Sequence, residues 1–142
     1  ALKAGGAAVG AKAVIETLPG MFPLACSPRL NDLFVENIKE YFPETKIEDA
    51  GHFTASTDMG DISHLMPSIH PFIGGVDGGL HTKDFCVTDF DAAAILPGKV
   101  FAMNIIDLLY DEAAMAKEVL EKEKPILTKE EYLAKMESYF RS

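Results

Sequence analysis

Four histidines, His52, His64, His70 and His81, fall within a stretch of 30 residues, and imidazole is a common metal ligand in proteins. His64 and His70 are six positions apart, which on a β-strand gives the same face but a separation of about 20 Å. Zinc holds its ligands at about 2 Å, so these two cannot share one ion on a strand. The sequence contains no His-x-x-x-His, no Glu-x-x-His and no closely paired cysteines. A zinc site held by this chain alone is therefore not expected.

Two loops offer further polar groups. Asp58 and Asp61 flank Gly60 in "STDMGD", which indicates either a polar active-site loop or a turn whose side chains cap local backbone N–H groups. Residues 74–79 belong to "GGVDGGLH", which lacks the Lys-Ser/Thr of a phosphate-binding P-loop. Its glycines permit positive φ angles and close backbone approach, and exposed N–H groups there would suit a ligand carboxylate.

Composition excludes several classes of protein. A length of 142 residues with 48% hydrophobic and 25% charged residues is typical of one soluble globular domain. A net charge of −9 disfavours binding to nucleic acid and to anionic membrane surfaces. No apolar run approaches the roughly 18 residues needed to span a bilayer, and no signal peptide is visible. Cys26 and Cys86 are predicted to be free thiols, and the protein is expected in the cytoplasm.

The first part of the chain is predicted to be a separate substructure. Small residues suggest a short helix that ends around Gly10, followed by a strand over residues 12–18. The sequence "PGMFP" (residues 19–23) breaks regular structure, and a helix with one strand is not stable alone. The chain also opens mid-pattern without an initiator methionine. We therefore expect residues 1–22 to be the end of a neighbouring unit, in a chain cut from a longer one.

The remaining chain is predicted to alternate strands and helices. A helix begins after Ser27 and Pro28, a short strand follows at residues 46–50, and residues 62–75 are extended because two prolines exclude a regular helix. The strongest helix covers residues 97–110. Its predicted buried face consists of Phe101, Ile105 and Leu108, packed against a sheet.

A last helix is predicted after Thr128, which forms a capping box with Glu131. Alternation of strands and helices, with late helices covering a sheet, favours an α/β layered architecture.

Two segments carry a resemblance to a known family. "ASTDMGDISHLMPSIHPFIG" followed by "GLHTKDFCVTDFDAA" resembles the C-terminal part of the aminoacylase/carboxypeptidase-G type metal-dependent amidohydrolases. The similarity is greatest to the branch of aminobenzoyl-glutamate hydrolases and β-alanyl-lysine type dipeptidases. It implies that residues 23–142 form the C-terminal half of a zinc-peptidase-like catalytic domain, with a central sheet covered by helices. Residues 1–22 would then end an α+β lid, or dimerisation, domain of a homodimer.

The resemblance also implies roles for single residues. His81 would be the last metal ligand, Gly78 and Gly79 would lie near the substrate, and Asp58 would border the active site. The cofactor would be one or two divalent ions, zinc or manganese. The substrate would be a small N-acyl amino acid, an aminobenzoyl-glutamate-like amide or a dipeptide. Roles for the other three histidines are not assigned.

The resemblance further implies that this chain holds no catalytic residue. In that family the other metal ligands and the general-base glutamate lie in an N-terminal half, in His-x-Asp and Glu-Glu motifs. Here the only Glu-Glu pair is Glu130 and Glu131, at the start of the last helix. A catalytic zinc takes three protein ligands and a water, so the chain alone is expected to be inactive. The alternative is a non-catalytic binding or assembly module with an α/β core, in which His81 is a loop histidine.

Overall fold

A computed structural model describes residues 1–49, 51 and 56–140. The described chain is mostly helical. Its elements, in chain order, are α1 (Leu2–Ala8), α2 (Pro28–Tyr41), α3 (Met59–Leu65), β1 (Val76–Asp77), β2 (Cys86–Val87), a π-helix (Asp91–Ile95), α4 (Leu96–Lys122) and α5 (Lys129–Tyr139).

The predicted α/β architecture with a central sheet is wrong. Among the described residues the only sheet is the antiparallel pair of β1 and β2, in which Val76 faces Val87 and Asp77 faces Cys86. Residues 12–18 form no strand beyond an isolated bridge residue at Thr17. Residues 46–49 form none either, and the last position of that predicted strand, residue 50, lies outside the described residues. A strand needs neighbours to complete its hydrogen bonds. The described part of this chain brings no third strand to these segments, so their β-like sequence pattern does not produce a sheet.

The predicted extended segment 62–75 begins too early. α3 covers its first four residues and ends at Leu65, and the chain is irregular from Met66 to Gly75. A proline restricts its own residue and the one before it. Pro67 therefore holds Met66 extended, with φ −159° and ψ 155°, which ends the helix at Leu65. It leaves the preceding turn free to be helical.

The predicted start of α2 after Ser27 and Pro28 is confirmed. The Ser27 hydroxyl oxygen accepts a hydrogen bond from the Leu30 N–H at 3.1 Å, and Pro28 occupies the first helical position. The buried face of α2 packs on α4, and the two helices supply most of a small core. This core consists of Phe34, Ile38 and the fully buried Val100, with Phe42, Ile69, Ile73 and Leu96 packed around it.

α4 contacts α2 through a different face from the one predicted. The buried residues in its first half are Pro97, Val100 and Asn104. Phe101 is 40% exposed and Ile105 is 55% exposed, so the predicted burial of this face against a sheet is wrong. Both faces of the helix are apolar, and helical spacing alone does not tell which of them meets a partner. The absent sheet leaves the second face open.

The π-helix and α4 together meet the length and composition criteria for a membrane span. The stretch Asp91–Lys122 has a mean hydropathy of 1.6 in its most apolar window, of which 17% is buried. The stretch contains Lys99, Asn104 and Asp107, so it is not an uninterrupted apolar run. Length and composition alone do not assign a helix to a membrane, and the cytoplasmic location stays a prediction.

α4 is broken near its middle. Tyr110 is extended, and Asp111, Glu112 and Ala113 have φ angles of 50°, 54° and 61°. A left-handed conformation costs a residue with a β-carbon about 1–2 kcal/mol. The three residues together therefore make this turn unfavourable, and contacts elsewhere must compensate for it.

α5 begins with the predicted capping box. The Thr128 N–H donates to the Glu131 carboxylate at 2.8 Å, and the Glu131 N–H donates to the Thr128 hydroxyl at 3.2 Å. The backbone hydrogen bond from Thr128, followed by the one from its side chain, lowers the pKa of Glu131 below its ordinary value. The stabilisation from this carboxylate is therefore present above the ordinary glutamate pKa and is lost as the pH falls through the lowered pKa.

Replacing Thr128 by alanine is expected to lower the free energy of unfolding by about 1 kcal/mol, because one N–H of the first helical turn loses its acceptor. Urea unfolding at pH 7, followed by far-UV circular dichroism, measures the change. Thr128→Ser keeps the hydroxyl group and should lie within about 0.3 kcal/mol of the wild type. Equal losses in the two variants would show that the hydroxyl does not act as the cap.

Candidate functional site

The candidate site is the hairpin loop between β1 and β2, which carries His81. Gly78 has a φ of +84°, and a β-carbon built on it would lie 2.4 Å from the Asp84 carbonyl oxygen. The Gly78 N–H also donates to the Asp77 carboxylate at 2.7 Å. A side chain at position 78 would therefore force the loop open. Glycine is required there because two backbone segments approach each other closely.

His81 lies near the tip of this loop with a φ of 60°, which is uncommon for a residue with a side chain. The turn around it is fixed by Thr82, whose N–H and hydroxyl both donate to the Gly79 carbonyl oxygen, at 3.1 Å and 2.8 Å. His81 is exposed, and its ring makes no hydrogen bond to any part of the chain that the structure describes. The imidazole is thus free to bind a group from outside.

The base of the hairpin is fastened to the helix that follows it. The Gly75 carbonyl oxygen accepts hydrogen bonds from the N–H groups of Thr88 and Asp89, at 2.9 Å and 3.1 Å. Gly75 has a φ of +82°, and a β-carbon there would lie 2.5 Å from the Asp89 carbonyl oxygen. The Asp89 carboxylate accepts from the Ala92 N–H at 3.0 Å. The position of His81 is therefore coupled to the start of the π-helix and α4.

Asp58 precedes α3, and the described contacts do not link it to His81. It is exposed, and its carboxylate accepts a hydrogen bond from the Thr57 hydroxyl at 3.0 Å. Its carbonyl oxygen accepts from the Asp61 N–H at 3.1 Å. These contacts are those of a turn that begins a helix. Gly78 and Gly79 do lie beside His81, so the hairpin unites three of the four predicted site residues.

Asp61 forms a junction that the sequence did not reveal. Its carboxylate accepts from the Phe22 N–H at 2.8 Å and from the Tyr132 hydroxyl at 3.1 Å, which joins the N-terminal segment, α3 and α5. Desolvation, followed by the hydrogen bond to Asp61, raises the pKa of Tyr132. At Gly60 an added β-carbon would meet the Phe22 carbonyl oxygen at 1.8 Å. Local sequence cannot show these contacts because their partners are 39 and 71 residues away.

The other histidines have surroundings of their own. His64 lies in α3 instead of on a strand, its Nδ1 is 2.8 Å from the Gly60 carbonyl oxygen, and its ring stacks on Phe22 with centroids 4.7 Å apart. His70 contacts Phe72 edge to face, and its buried Nδ1 has no hydrogen-bond partner among the described residues. His52 lies outside the described residues. His64 is thus a packing residue.

The donor groups of the described residues do not fit a complete metal site. No three His, Cys, Asp or Glu side chains in the described ranges are arranged to hold one ion. Cys26 and Cys86 are free thiols, and the hairpin offers one imidazole. A catalytic zinc needs three protein ligands, so His81 could supply only part of such a site.

Comparisons with known proteins found no match. No family model, no curated protein and no solved structure matches the chain.

Proposed function

We propose that this chain contributes the His81 hairpin to a metal-dependent amidohydrolase whose other metal ligands and general base come from polypeptide outside it. The observation that carries the proposal is the exposed imidazole, held at the tip of a loop that Gly78 constrains and without a partner in the described structure. A divalent ion, zinc or manganese, is the cofactor of this proposal, with one or two ions in the completed enzyme. The proposed substrates are small N-acyl amino acids, aminobenzoyl-glutamate-like amides and dipeptides.

The proposed role of the chain's own residues is to position and to bind. The hairpin holds the His81 ring at a fixed place relative to the start of α4. Gly79 and its neighbours keep the backbone uncovered, so that N–H groups of the turn can face a substrate carboxylate. Asp58 is proposed at the edge of the site on the strength of the sequence resemblance alone. The residues described here do not complete a catalytic mechanism.

The amount of exposed surface supports assembly with further polypeptide. The chain exposes 10616 Å², whereas a folded monomer of 142 residues exposes about 7,200 Å². Part of this excess is the open apolar face of α4, which includes Ile105, Ile106 and Leu109. A helix that is apolar on both sides is typically buried on both sides. This surface adjoins the His81 hairpin along the chain.

The same surface favours a second candidate, a non-catalytic assembly module in which His81 is an ordinary loop residue. The coding sequence next to this chain distinguishes the two. A His-x-Asp motif followed by Glu-Glu favours the amidohydrolase, and absence of both favours the module.

Replacing His81 by alanine in the polypeptide that joins those motifs to this chain should reduce hydrolysis of aminobenzoyl-glutamate by more than about 100-fold. Loss of an outer partner of a metal ligand typically costs 10- to 100-fold, and loss of the ligand itself costs more. Bound zinc, measured by elemental analysis, should fall in parallel. This chain alone should hold no stoichiometric zinc in competition with a chromogenic chelator.

Lys83→Ala is the matched control because it alters the same loop and keeps the imidazole. Lys83 is exposed and, among the described residues, pairs only with its neighbour Asp84, at 2.9 Å, so this variant should keep its zinc and its activity. A His81→Ala enzyme with wild-type activity, or stoichiometric zinc in the chain alone, would contradict the proposal.

A further inference from the structure

The break in α4 has no cause in the local sequence. Sharp kinks usually occur at proline, at glycine or serine, or at π-bulges. Residues 100–123 contain no glycine, proline or serine. Apart from Asp111 and Val119, the residues of the break and those that follow are good helix formers, in the sequence "DEAAMAKEVLEK". Nevertheless Asp111, Glu112 and Ala113 are all left-handed.

The buried and half-buried residues before and after the break would lie on the same face of a continuous helix. On a continuous helix of 3.6 residues per turn, the side chains of Asn104, Leu108, Met115 and Val119 would fall within about 60° of one another. Asn104 and Val119 are buried, and Leu108 and Met115 are half-buried. The sequence is therefore patterned for a single unbroken helix, although the structure shows a broken one.

Contacts with the start of α2 hold the second half of α4 in its broken position. A guanidinium nitrogen of Arg29 lies 3.6 Å from the Met115 sulfur. The backbone N–H of Arg29 donates to the Glu123 carboxylate at 3.2 Å. The first half is held separately, since the Asn37 amide donates to Asn104 and to Asp107 at 2.8 Å each. The two halves are thus anchored at different ends of α2, with the unfavourable turn between them.

We propose that residues 110–113 are a hinge, at which α4 changes between this broken helix and a continuous one. The broken form gains the contacts of Arg29 and places three residues in an unfavourable conformation. The continuous form removes that conformation, and its buried residues before and after the break lie on one face of the helix. The hinge would let the first half of α4, which carries the open apolar face and the His81 hairpin at its start, change direction relative to the second half.

Distance measurement between two spin labels tests the hinge. Cysteines replace the exposed Lys99 and Lys117 in a Cys26→Ser, Cys86→Ser background, and double electron–electron resonance reports their separation. A continuous helix places these two Cα atoms about 27 Å apart, and a broken helix brings them closer. We expect both separations in the labelled wild type. Ala113→Gly should lower the ratio of continuous to broken forms by at least about fivefold, because glycine is the weaker helix former and accepts positive φ.

Ala114→Gly is the matched control, since residue 114 follows the left-handed turn and is helical in both forms. It should leave the ratio unchanged within about twofold, although it carries the same glycine cost in a helix. A single separation that Ala113→Gly does not change would overturn the hinge. Equal shifts in the two glycine variants would also overturn it, because they would reflect general loosening of the helix.

Discussion

Replacing Phe34 by alanine is expected to lower the free energy of unfolding by about 3–5 kcal/mol, the typical cost of deleting a buried phenylalanine ring. Phe34 is 7% exposed, and it lies in the core cluster with Ile38 and the fully buried Val100. A small domain is stable by about 5–15 kcal/mol. Since few other apolar residues in the described structure are buried, the loss should remove a large part of the stability. Equilibrium urea unfolding measures it.

Phe101→Ala is the control in the same aromatic pair. The Phe101 ring lies 5.2 Å from the Phe34 ring but is 40% exposed, so its loss should cost less than about 2 kcal/mol. If Phe101→Ala costs as much as Phe34→Ala, the open face of α4 is covered in solution, for example by self-association. Repeating the measurement over a range of protein concentrations shows whether self-association covers this face, because the stability of an associated form depends on concentration.

The helix ends were the most predictable part of the fold. A helix cap depends only on residues within about four positions of one another. The caps formed by Ser27 with Pro28 and by Thr128 with Glu131 are both present, as the sequence indicates. The sheet was not predictable in the same way. A strand is stabilised by residues far away in the chain, and the pattern of residues 12–18 carries no information on whether a neighbouring strand exists.

In the candidate site, too, the sequence predicts local features and misses contacts between distant parts of the chain. The closeness of Gly78, Gly79 and His81 follows from their adjacency in sequence, and the requirement for glycine at position 78 could be anticipated from a tight loop. The junction at Asp61 could not, since its partners Phe22 and Tyr132 come from other parts of the chain. The buried face of α4 was also assigned wrongly, because both of its faces are apolar and periodicity does not choose between them.

A buried amide provides the second large effect. Asn37 is 4% exposed and Asn104 is 5% exposed. The Asn37 amide nitrogen donates at 2.8 Å to the side-chain oxygen of Asn104 and at 2.8 Å to the carboxylate of Asp107. Both acceptors lie on α4, so this single group fixes the register of α2 against α4. Polar contacts of this kind specify one alignment, whereas the surrounding apolar contacts tolerate small shifts.

Asn37→Leu is expected to lower the free energy of unfolding by about 2–4 kcal/mol, although leucine is more hydrophobic and of similar size. The loss arises because the buried Asn104 oxygen is left without a donor, and an unsatisfied buried group costs about 1–3 kcal/mol. Asp107 is half-buried and regains water, so it contributes less. Urea unfolding of the single and double variants gives the coupling energy between the two positions.

The double variant Asn37→Leu, Asn104→Leu should recover most of this loss, because removal of both polar partners leaves no unsatisfied group between the helices. The coupling energy should therefore be large compared with the roughly 0.3–0.5 kcal/mol seen between independent sites. If the two losses simply add, the Asn37 amide does not bond to Asn104 in solution. In that case the register of α2 against α4 is set by the hydrogen bond from Asn37 to Asp107 and by the apolar contacts of Val100 and Phe34.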